Sequence, residues 1–212
     1  YDAALTRKNR ELLDENVMPD ALSLAETERL VANGALLLDG RDPEEFARGH
    51  LAGSINVGLN GRYAEFAGSV VPSDVDIVLV VDEGFELEAR NRLARIGFDR
   101  VVGYVADPIR VMVENPGMVQ QASRLTRAEY EQRAATLDDL QIVDVRNPGE
   151  HALGSLEGAT LVPVGQLPKL VDQLDPDRPT VVFCAGGYRS SVGASVLRRS
   201  GFDDVSDILG GY

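Results

Sequence analysis

Apolar positions in the second half of the chain fall into short runs that fit buried strands, separated by stretches with helical spacing. QIVDV and PTVVFC are apolar without polar alternation, as in parallel strands buried on both faces. TRAEYEQRAA predicts a helix with Thr126 as its N-cap and Glu129 completing a capping box. SSVGASVLRRSGF has apolar residues at helical spacing before Gly201, and DDVSDIL predicts a final strand. Alternating strands and helices predict a three-layer α/β unit of about 100 residues.

The same arrangement occurs twice along the chain. Three pairs of segments are similar: LLLDGRDPEEFARGHLAGSINV and QIVDVRNPGEHALGSLEGATLV, IVLVVDEG and VVFCAGGY, IGFDRV and SGFDDV. The offset is 105 residues between Asp39 and Asp144, and 104 residues between Gly97 and Gly201. So long a period indicates two tandem domains and not a solenoid.

The domain limits follow from the repeat and from the composition between the copies. We expect one domain at 21–115 and a second at 124–212, preceded by a connector at 1–20. Pro116 and Gly117 interrupt helix in the polar stretch between them, as in a linker.

Composition and charge exclude several classes of function. The net charge of −13 disfavours binding to nucleic acid or to acidic membranes and is typical of a solvated surface. The sequence has no long apolar run and no signal-like N-terminal segment. One cysteine cannot form an intramolecular disulfide, which fits a reducing cytoplasm, and one cysteine with two histidines falls short of a closed zinc site. We therefore expect no metal and no cofactor.

The single cysteine, Cys184, ends an apolar run and is followed by a glycine-rich turn into a helix. Ligands of α/β sheets bind beyond the carboxyl ends of strands, where amides of the turn and the helix N-terminus attract negative charge. Gly186 and Gly187 permit positive φ and close approach of a ligand, and Arg189 adds a cation that favours a thiolate. A lone cysteine is also among the most often buried residues, which leaves an inert core role as the alternative. The order strand, cysteine, glycines, arginine and helix favours a nucleophile.

DVRNPGEH and CAGGYRSS together resemble the rhodanese family of sulfurtransferases, and the resemblance covers nearly the whole chain as two tandem modules. It implies two rhodanese-like α/β domains, each a mainly parallel sheet flanked by helices on both faces. It also implies that Cys184 accepts a sulfane sulfur from a small-molecule donor and passes it, as a persulfide, to a thiol or cyanide. By the same resemblance, Asp144 and Arg146 are the fold-supporting D-x-R motif. The residues that would cradle the persulfide are Ala185, Gly186, Gly187, Tyr188, Arg189 and Ser190.

The length of the loop separates this chemistry from that of related phosphatases. Four residues lie between Cys184 and Arg189, whereas the phosphatases place one more there, and no general acid for ester cleavage is evident in the loop. The loop also differs from the CGSGV type associated with mercaptopyruvate enzymes. The resemblance therefore favours thiosulfate or a low-molecular-weight persulfide as donor.

The first copy differs at the corresponding position. When the copies are aligned through their glycine-phenylalanine pairs, Val80 lies opposite Cys184 and Phe85 opposite Arg189. Acidic residues stand where an anion site needs neutral or positive groups. They are Asp82, Glu83 and Glu86. We expect this domain to keep the fold without the chemistry.

Three further side chains have weaker patterns. His50, in GHLAGS, is expected to be a structural hydrogen-bonding histidine, and His151 is expected at the surface. Tyr188 either packs beside the loop or presents its hydroxyl at the pocket mouth, and the sequence leaves both alternatives open.

The two ends suggest a larger protein. YDAALTRKNRELLDE resembles the connector that follows the metallo-β-lactamase-like domain in persulfide dioxygenase-type fusions, so a fused upstream metallohydrolase is the expected partner. DILGGY ends where a family member would begin its last helix. The alternative function is a non-catalytic regulatory or partner-binding module in which Cys184 is only a sensor or sulfur acceptor.

Overall fold

The structure is a computed structural model that describes residues 14–211. The first half contains eleven elements within those residues. They are β1 (Ala21–Leu22), α1 (Leu24–Ala32), β2 (Leu36–Asp39), α2 (Pro43–Arg48), β3 (His50–Leu51), β4 (Ile55–Asn56), α3 (Tyr63–Val70), β5 (Ile77–Val80), α4 (Glu86–Ala94), β6 (Val101–Val105) and α5 (Pro108–Glu114).

The second half repeats this succession. After a short strand, β7 (Val119–Gln120), its elements are β8 (Ser123–Leu125), α6 (Arg127–Thr136), β9 (Gln141–Asp144), α7 (Pro148–His151), β10 (Thr160–Leu161), α8 (Leu167–Leu170), β11 (Thr180–Phe183), α9 (Tyr188–Arg199) and β12 (Val205–Ile208). The predicted capping box is confirmed, because Thr126 and Glu129 exchange side-chain and backbone hydrogen bonds at the start of α6.

Each half forms one parallel five-stranded sheet. The strand orders, β1-β6-β5-β2-β4 and β8-β12-β11-β9-β10, are equivalent. Alternate residues of the central strands face opposite sides: Leu38 packs toward α3 and α4, and Leu37 toward α1 and α5. In the second sheet Val182 faces α9, and Val181 packs on the opposite side with Tyr130 of α6. The expectation of two α/β domains with helices on both faces is confirmed.

The segment between the sheets is attached to the first domain. Its strand β7 pairs antiparallel with β3, with Gln120 opposite His50. The predicted connector lies mostly outside the described residues, since they begin at Asp14. The carbonyl oxygens of Asp14 and Val17 both accept hydrogen bonds from Arg90 on α4. None of the helices within 14–211 is long and apolar enough to cross a membrane.

The two domains share a core and several hydrogen bonds to α9, two of which are buried. The Asn56 N–H donates to Ser195 Oγ at 2.9 Å, and the Ser191 hydroxyl donates to Asn56 Oδ1 at 2.9 Å. Arg199 donates to the carbonyl of Gly53 at 2.8 Å. The α3 and α4 face of the first sheet and the α9 face of the second belong to one apolar cluster. The first domain therefore supports the helix that follows Cys184.

The predictions for the two histidines have different outcomes. His50 is buried, its Nδ1 lies 2.9 Å from the carbonyl oxygen of Phe46, and its ring stacks on that phenylalanine. Burial lowers the pKa of His50 to about 4, so the imidazole is neutral, and the expected structural role is confirmed. The prediction for His151 is wrong. Its side chain is only 9% exposed, and its Nε2 lies 3.4 Å from Oδ1 of Asp144, the last residue of β9.

Candidate active site

Cys184 follows the last residue of β11, a strand whose four residues are all buried. Its sulfur is almost completely enclosed, since the residue is 1% exposed. Gly187 has φ of 85°, a left-handed conformation that favours glycine, and this turn directs its N–H toward the sulfur at 3.1 Å. The helix α9 begins at the next residue. One loop amide therefore donates to Sγ as predicted, and of the two loop glycines only Gly187 has positive φ.

Behind the sulfur lies a buried polar chain that the sequence does not reveal. Ser190 Oγ is 3.5 Å from Cys184 Sγ and donates to Asp207 Oδ2 at 3.2 Å. Arg124 donates to both Asp207 oxygens and, at 3.0 Å, to the carbonyl of Gly187. Ser190 is fully buried, and its hydroxyl lies between the Cys184 sulfur and Asp207 on β12. This chain fixes the far end of the loop.

Arg189 lies beside the loop but is not an isolated cation. Its Nη1 and Nη2 donate to the two carboxylate oxygens of Glu150 at 2.5 and 2.8 Å. These bonds lower the pKa of Glu150 to about 2, and the same pairing, with a smaller contribution from Cys184, raises the pKa of Arg189. The sequence pattern points to the arginine but gives no sign of the carboxylate that neutralises it.

The two charged residues of the D-x-R motif are paired with each other in both domains. Arg146 donates from Nε and Nη2 to the buried carboxylate of Asp144, and from Nη2 to the carbonyl of Gly154 at 2.7 Å. Asp39 and Arg41 repeat this pair in the first domain. The motif closes the turn after the second strand of each sheet, and its residues are not among those that line the cavity beside Cys184.

Cys184 borders a cavity of about 530 Å³ whose walls come from both domains. From the second domain it is lined by Asn147, Glu150, Cys184, Gly186, Tyr188 and Arg189, and from the first by Gly61, Arg62 and Phe66. Ala185 is absent from this lining, although it was predicted to contact the substrate. The alternatives for Tyr188 are resolved, because its ring lines the cavity while its hydroxyl donates to the Gly58 carbonyl at 2.6 Å.

The residue opposite Cys184 in the first domain is Val81, not Val80. Asp39 pairs with Val80 as Asp144 pairs with Phe183, so Val80 corresponds to the last strand residue. The alignment through the glycine-phenylalanine pairs is wrong by one residue, because the second copy has one residue more between its loop glycine and that pair.

The corrected register places Gly84 opposite Gly187, and Glu86 opposite Arg189. Gly84 also has a left-handed φ of 90°, so the two loops turn alike. Its N–H donates to Glu86 Oε2 at 2.9 Å, whereas the Gly187 N–H donates to the cysteine sulfur. A carboxylate of the chain itself therefore accepts the hydrogen bond of this amide in the first domain, where the second domain has the cysteine sulfur.

Comparison with known proteins identifies one family. A family profile described as rhodanese-like domain matches residues 23–107 and 126–212. A sulfurtransferase of Allochromatium vinosum is 32% identical over 80 residues, 38% of this chain and 75% of that protein. Thiosulfate sulfurtransferase GlpE of Shewanella oneidensis is 38% identical over 73 residues, 34% of this chain and 72% of that protein. A tRNA uridine(34) hydroxylase of Staphylococcus saprophyticus is 27% identical over 189 residues, 80% of this chain but only 60% of that protein.

Proposed function

Because the chain belongs to the rhodanese-like domain family, we propose that it is a sulfurtransferase whose sulfur carrier is Cys184. The observation that carries the proposal is the setting of the sulfur. It lies at the carboxyl end of a central strand and accepts the Gly187 N–H at 3.1 Å, and Cys184 is one of the residues that line a cavity of about 530 Å³. A thiolate or a terminal persulfide sulfur is stabilised by such an amide.

The reaction has two steps that return the cysteine to its starting state. In the first, the Cys184 thiolate attacks the sulfane sulfur of thiosulfate, a new S–S bond forms, and sulfite leaves with the electron pair of the broken bond. With a protonated organic persulfide the leaving group is the thiolate of the donor. In the second step, a thiolate or cyanide attacks the terminal sulfur of the Cys184 persulfide, forming a new persulfide or thiocyanate and releasing the Cys184 thiolate.

The loop supplies support for the enclosed sulfur in each state. The Gly187 amide and the first turn of α9 direct positive potential at the sulfur. The Ser190 hydroxyl, 3.5 Å from Sγ, can rotate to donate to sulfur, because Asp207 keeps its bonds to Arg124. Four residues between Cys184 and Arg189 enclose a smaller group than the phosphatase loop does, which favours a sulfur atom over a phosphate.

Other functions have less support from the site. The tRNA uridine(34) hydroxylase of Staphylococcus saprophyticus matches 80% of the chain, but a net charge of −13 opposes binding of a polyanion. A non-catalytic regulatory module would need no cavity beside the cysteine, yet Cys184 lines one of about 530 Å³. The predicted fusion to an upstream metallohydrolase rests on residues 1–15, most of which lie outside the described residues, and it stays a prediction.

Intact-mass analysis tests the proposal directly. The wild-type chain treated with thiosulfate or glutathione persulfide should gain the mass of one sulfur atom and lose it on addition of cyanide, with thiocyanate formed. Cys184→Ser should show neither change while its unfolding midpoint stays close to that of the wild type. A chain that gains no sulfur from either donor, or a Cys184→Ser variant that still forms thiocyanate, would refute the assignment.

A further inference from the structure

One wall of the cavity beside Cys184 is built by the first domain, which has no cysteine of its own. Gly61, Arg62 and Phe66 face Tyr188 and the cysteine loop across the domain boundary. The Phe66 and Tyr188 rings lie 5.6 Å apart, centroid to centroid. The cavity therefore has an apolar side from both domains and a guanidinium from the first.

This wall is held in a defined position. Arg92 on α4 donates to the carbonyl of Leu59 at 2.7 Å and to that of Gly61 at 3.0 Å. Gly61 packs so closely on Tyr188 that an added Cβ would lie 2.3 Å from its ring. The preceding loop is thus fixed on both sides, and Arg62 leaves it at the start of α3.

The two guanidiniums of the cavity differ in their availability. Arg189 is 15% exposed and is bound by both oxygens of Glu150. Arg62 is 68% exposed, and its ion pair with Glu65 is formed between two exposed side chains on one helical turn. Exposed ion pairs of this kind contribute little to stability, so an incoming anion can replace Glu65 as the partner of Arg62. Arg62 is therefore the cation of this cavity that a ligand can recruit.

The size and character of the cavity indicate what such a ligand carries. A volume of about 530 Å³ falls within the range of about 300–1,000 Å³ typical of sites for small organic molecules. Thiosulfate is a compact inorganic anion that would leave most of this space to water. The rings of Phe66 and Tyr188 offer apolar surface to an organic body. The Arg62 guanidinium carbon, 5.8 Å from the centroid of the Phe66 ring, offers a charge partner beside that surface.

We propose that Arg62, supplied by the first domain, binds a carboxylate on the tail of the sulfur donor. The donor class is then the persulfide of a carboxylate-bearing low-molecular-weight thiol, with glutathione persulfide as the accessible example. This inference rests on the proposed function, in which Cys184 accepts the sulfane sulfur. Arg62 makes and breaks no bond: sulfur passes from the donor to Cys184, and the donor thiolate leaves while its carboxylate remains paired. Arg62 is thus a specificity residue and not a catalytic one.

The kinetic test compares two donors that differ only in their carboxylates. For Arg62→Ala we expect KM for glutathione persulfide to rise about tenfold, with kcat within about twofold of the wild-type value, since a tenfold change corresponds to one lost charge contact. KM for the persulfide of glutathione dimethyl ester should change less than about twofold. Arg62→Lys should lie between the wild type and Arg62→Ala.

Arg48 offers a matched control in the same domain. It is equally exposed, at 68%, and pairs with Glu45 at the same helical spacing, but it does not line the cavity. Arg48→Ala should leave both KM values unchanged. Equal losses with both donors in Arg62→Ala, or no loss with either, would overturn the proposal.

A binding measurement keeps this inference separate from the chemistry. S-methylglutathione carries the tail without a transferable sulfur, and its dissociation constant for Cys184→Ser can be measured by calorimetry. Adding Arg62→Ala should weaken that binding about tenfold, and adding Arg48→Ala should not. Unchanged binding would refute the role of Arg62 even if sulfur transfer is observed. If the wild type transfers no sulfur, the proposed function fails, while weakened binding still supports Arg62 as the carboxylate site.

Discussion

The guanidinium of Arg189 faces the carboxylate of Glu150 through two hydrogen bonds, Nη1 to Oε2 at 2.5 Å and Nη2 to Oε1 at 2.8 Å. Both side chains line the cavity beside Cys184, and neither is fully exposed. The charge of the arginine is therefore compensated before any donor enters. The loop stabilises the sulfur chiefly by the Gly187 amide and the start of α9.

Removing Arg189 alone should lower activity more than replacing both Arg189 and Glu150. Arg189→Ala leaves the Glu150 carboxylate unpaired in the cavity, where it repels an anionic donor. We expect kcat/KM with thiosulfate to fall about 100-fold in Arg189→Ala. The double variant Arg189→Ala/Glu150→Gln should have a kcat/KM about tenfold higher than that of Arg189→Ala. Steady-state thiocyanate formation measures both variants. Arg127→Ala, which removes the arginine of a solvent-exposed pair with Glu131, is the control. A double variant no better than Arg189→Ala would contradict this account.

The pair of Arg189 and Glu150 should make the free energy of unfolding depend on pH in the acid range. The hydrogen bonds from Arg189 hold the pKa of Glu150 at about 2 in the folded state, below its ordinary value of 4.5. A lowered pKa stabilises the fold above the ordinary value and loses that effect as pH falls through the folded value. Relative to Glu150→Gln, the wild type should be more stable by up to about 1 kcal/mol at pH 7. Urea denaturation should show the difference constant above pH 5 and vanishing toward pH 2. A difference that grows in acid would contradict the assignment.

The sequence predicts the two domains well because their signals are local. Strands such as β11 are short apolar runs, and the Thr126 capping box needs only residues three apart. The position of Cys184 at the end of a strand follows from the same local pattern. The fold and the nucleophile candidate could therefore be identified without any knowledge of tertiary contacts.

The wall opposite Cys184 could not be predicted, because its contacts join distant parts of the chain. Tyr188 reaches Gly58 across 130 residues, and Arg189 reaches Glu150 across 39. Glu150 also closes a capping box at the start of α7, and that local role conceals its contact with Arg189. Nothing in either copy alone indicates how the domains pack, so Arg62 carries no signal in the sequence.

Adding one methyl group at Gly61, where the two domains pack closely, should destabilise the protein. An added Cβ at Gly61 would lie 2.3 and 2.5 Å from two atoms of the Tyr188 ring, and Tyr188 is the first residue of α9. Gly61→Ala should cost about 1–3 kcal/mol of unfolding free energy and lower kcat, because the ring and the loop before it must shift. Gly117→Ala, which meets open space, is the control. If Gly61→Ala costs as much in a Tyr188→Leu background as in the wild type, the clash is not the cause.

Restoring a cysteine to the first domain should not restore its chemistry. Val81 occupies the position of Cys184, but the amide corresponding to that of Gly187 is already bound by the Glu86 carboxylate at 2.9 Å. Val81→Cys would place a thiol beside that carboxylate, which disfavours the thiolate by like-charge repulsion. In a Cys184→Ser background, we expect Val81→Cys to form no thiocyanate above the background rate.

Transplanting the whole loop should do better than the single change. Replacing VDEGFEL at 81–87 by CAGGYRS removes three carboxylates, frees the amide and supplies the arginine in register. Glu45 corresponds to Glu150 and can pair with that arginine, because both glutamates lie in the first turn of equivalent helices. In a Cys184→Ser background, the transplant should therefore gain the mass of one sulfur atom. Its turnover should stay about 100-fold below that of the wild type, because the described part of the first domain has no cavity shaped for the donor. Replacing 80–86 instead, one residue out of register, is the control and should take up none. Sulfur uptake by the Val81→Cys variant alone would mean that loop charge matters far less than the Glu86 contact implies.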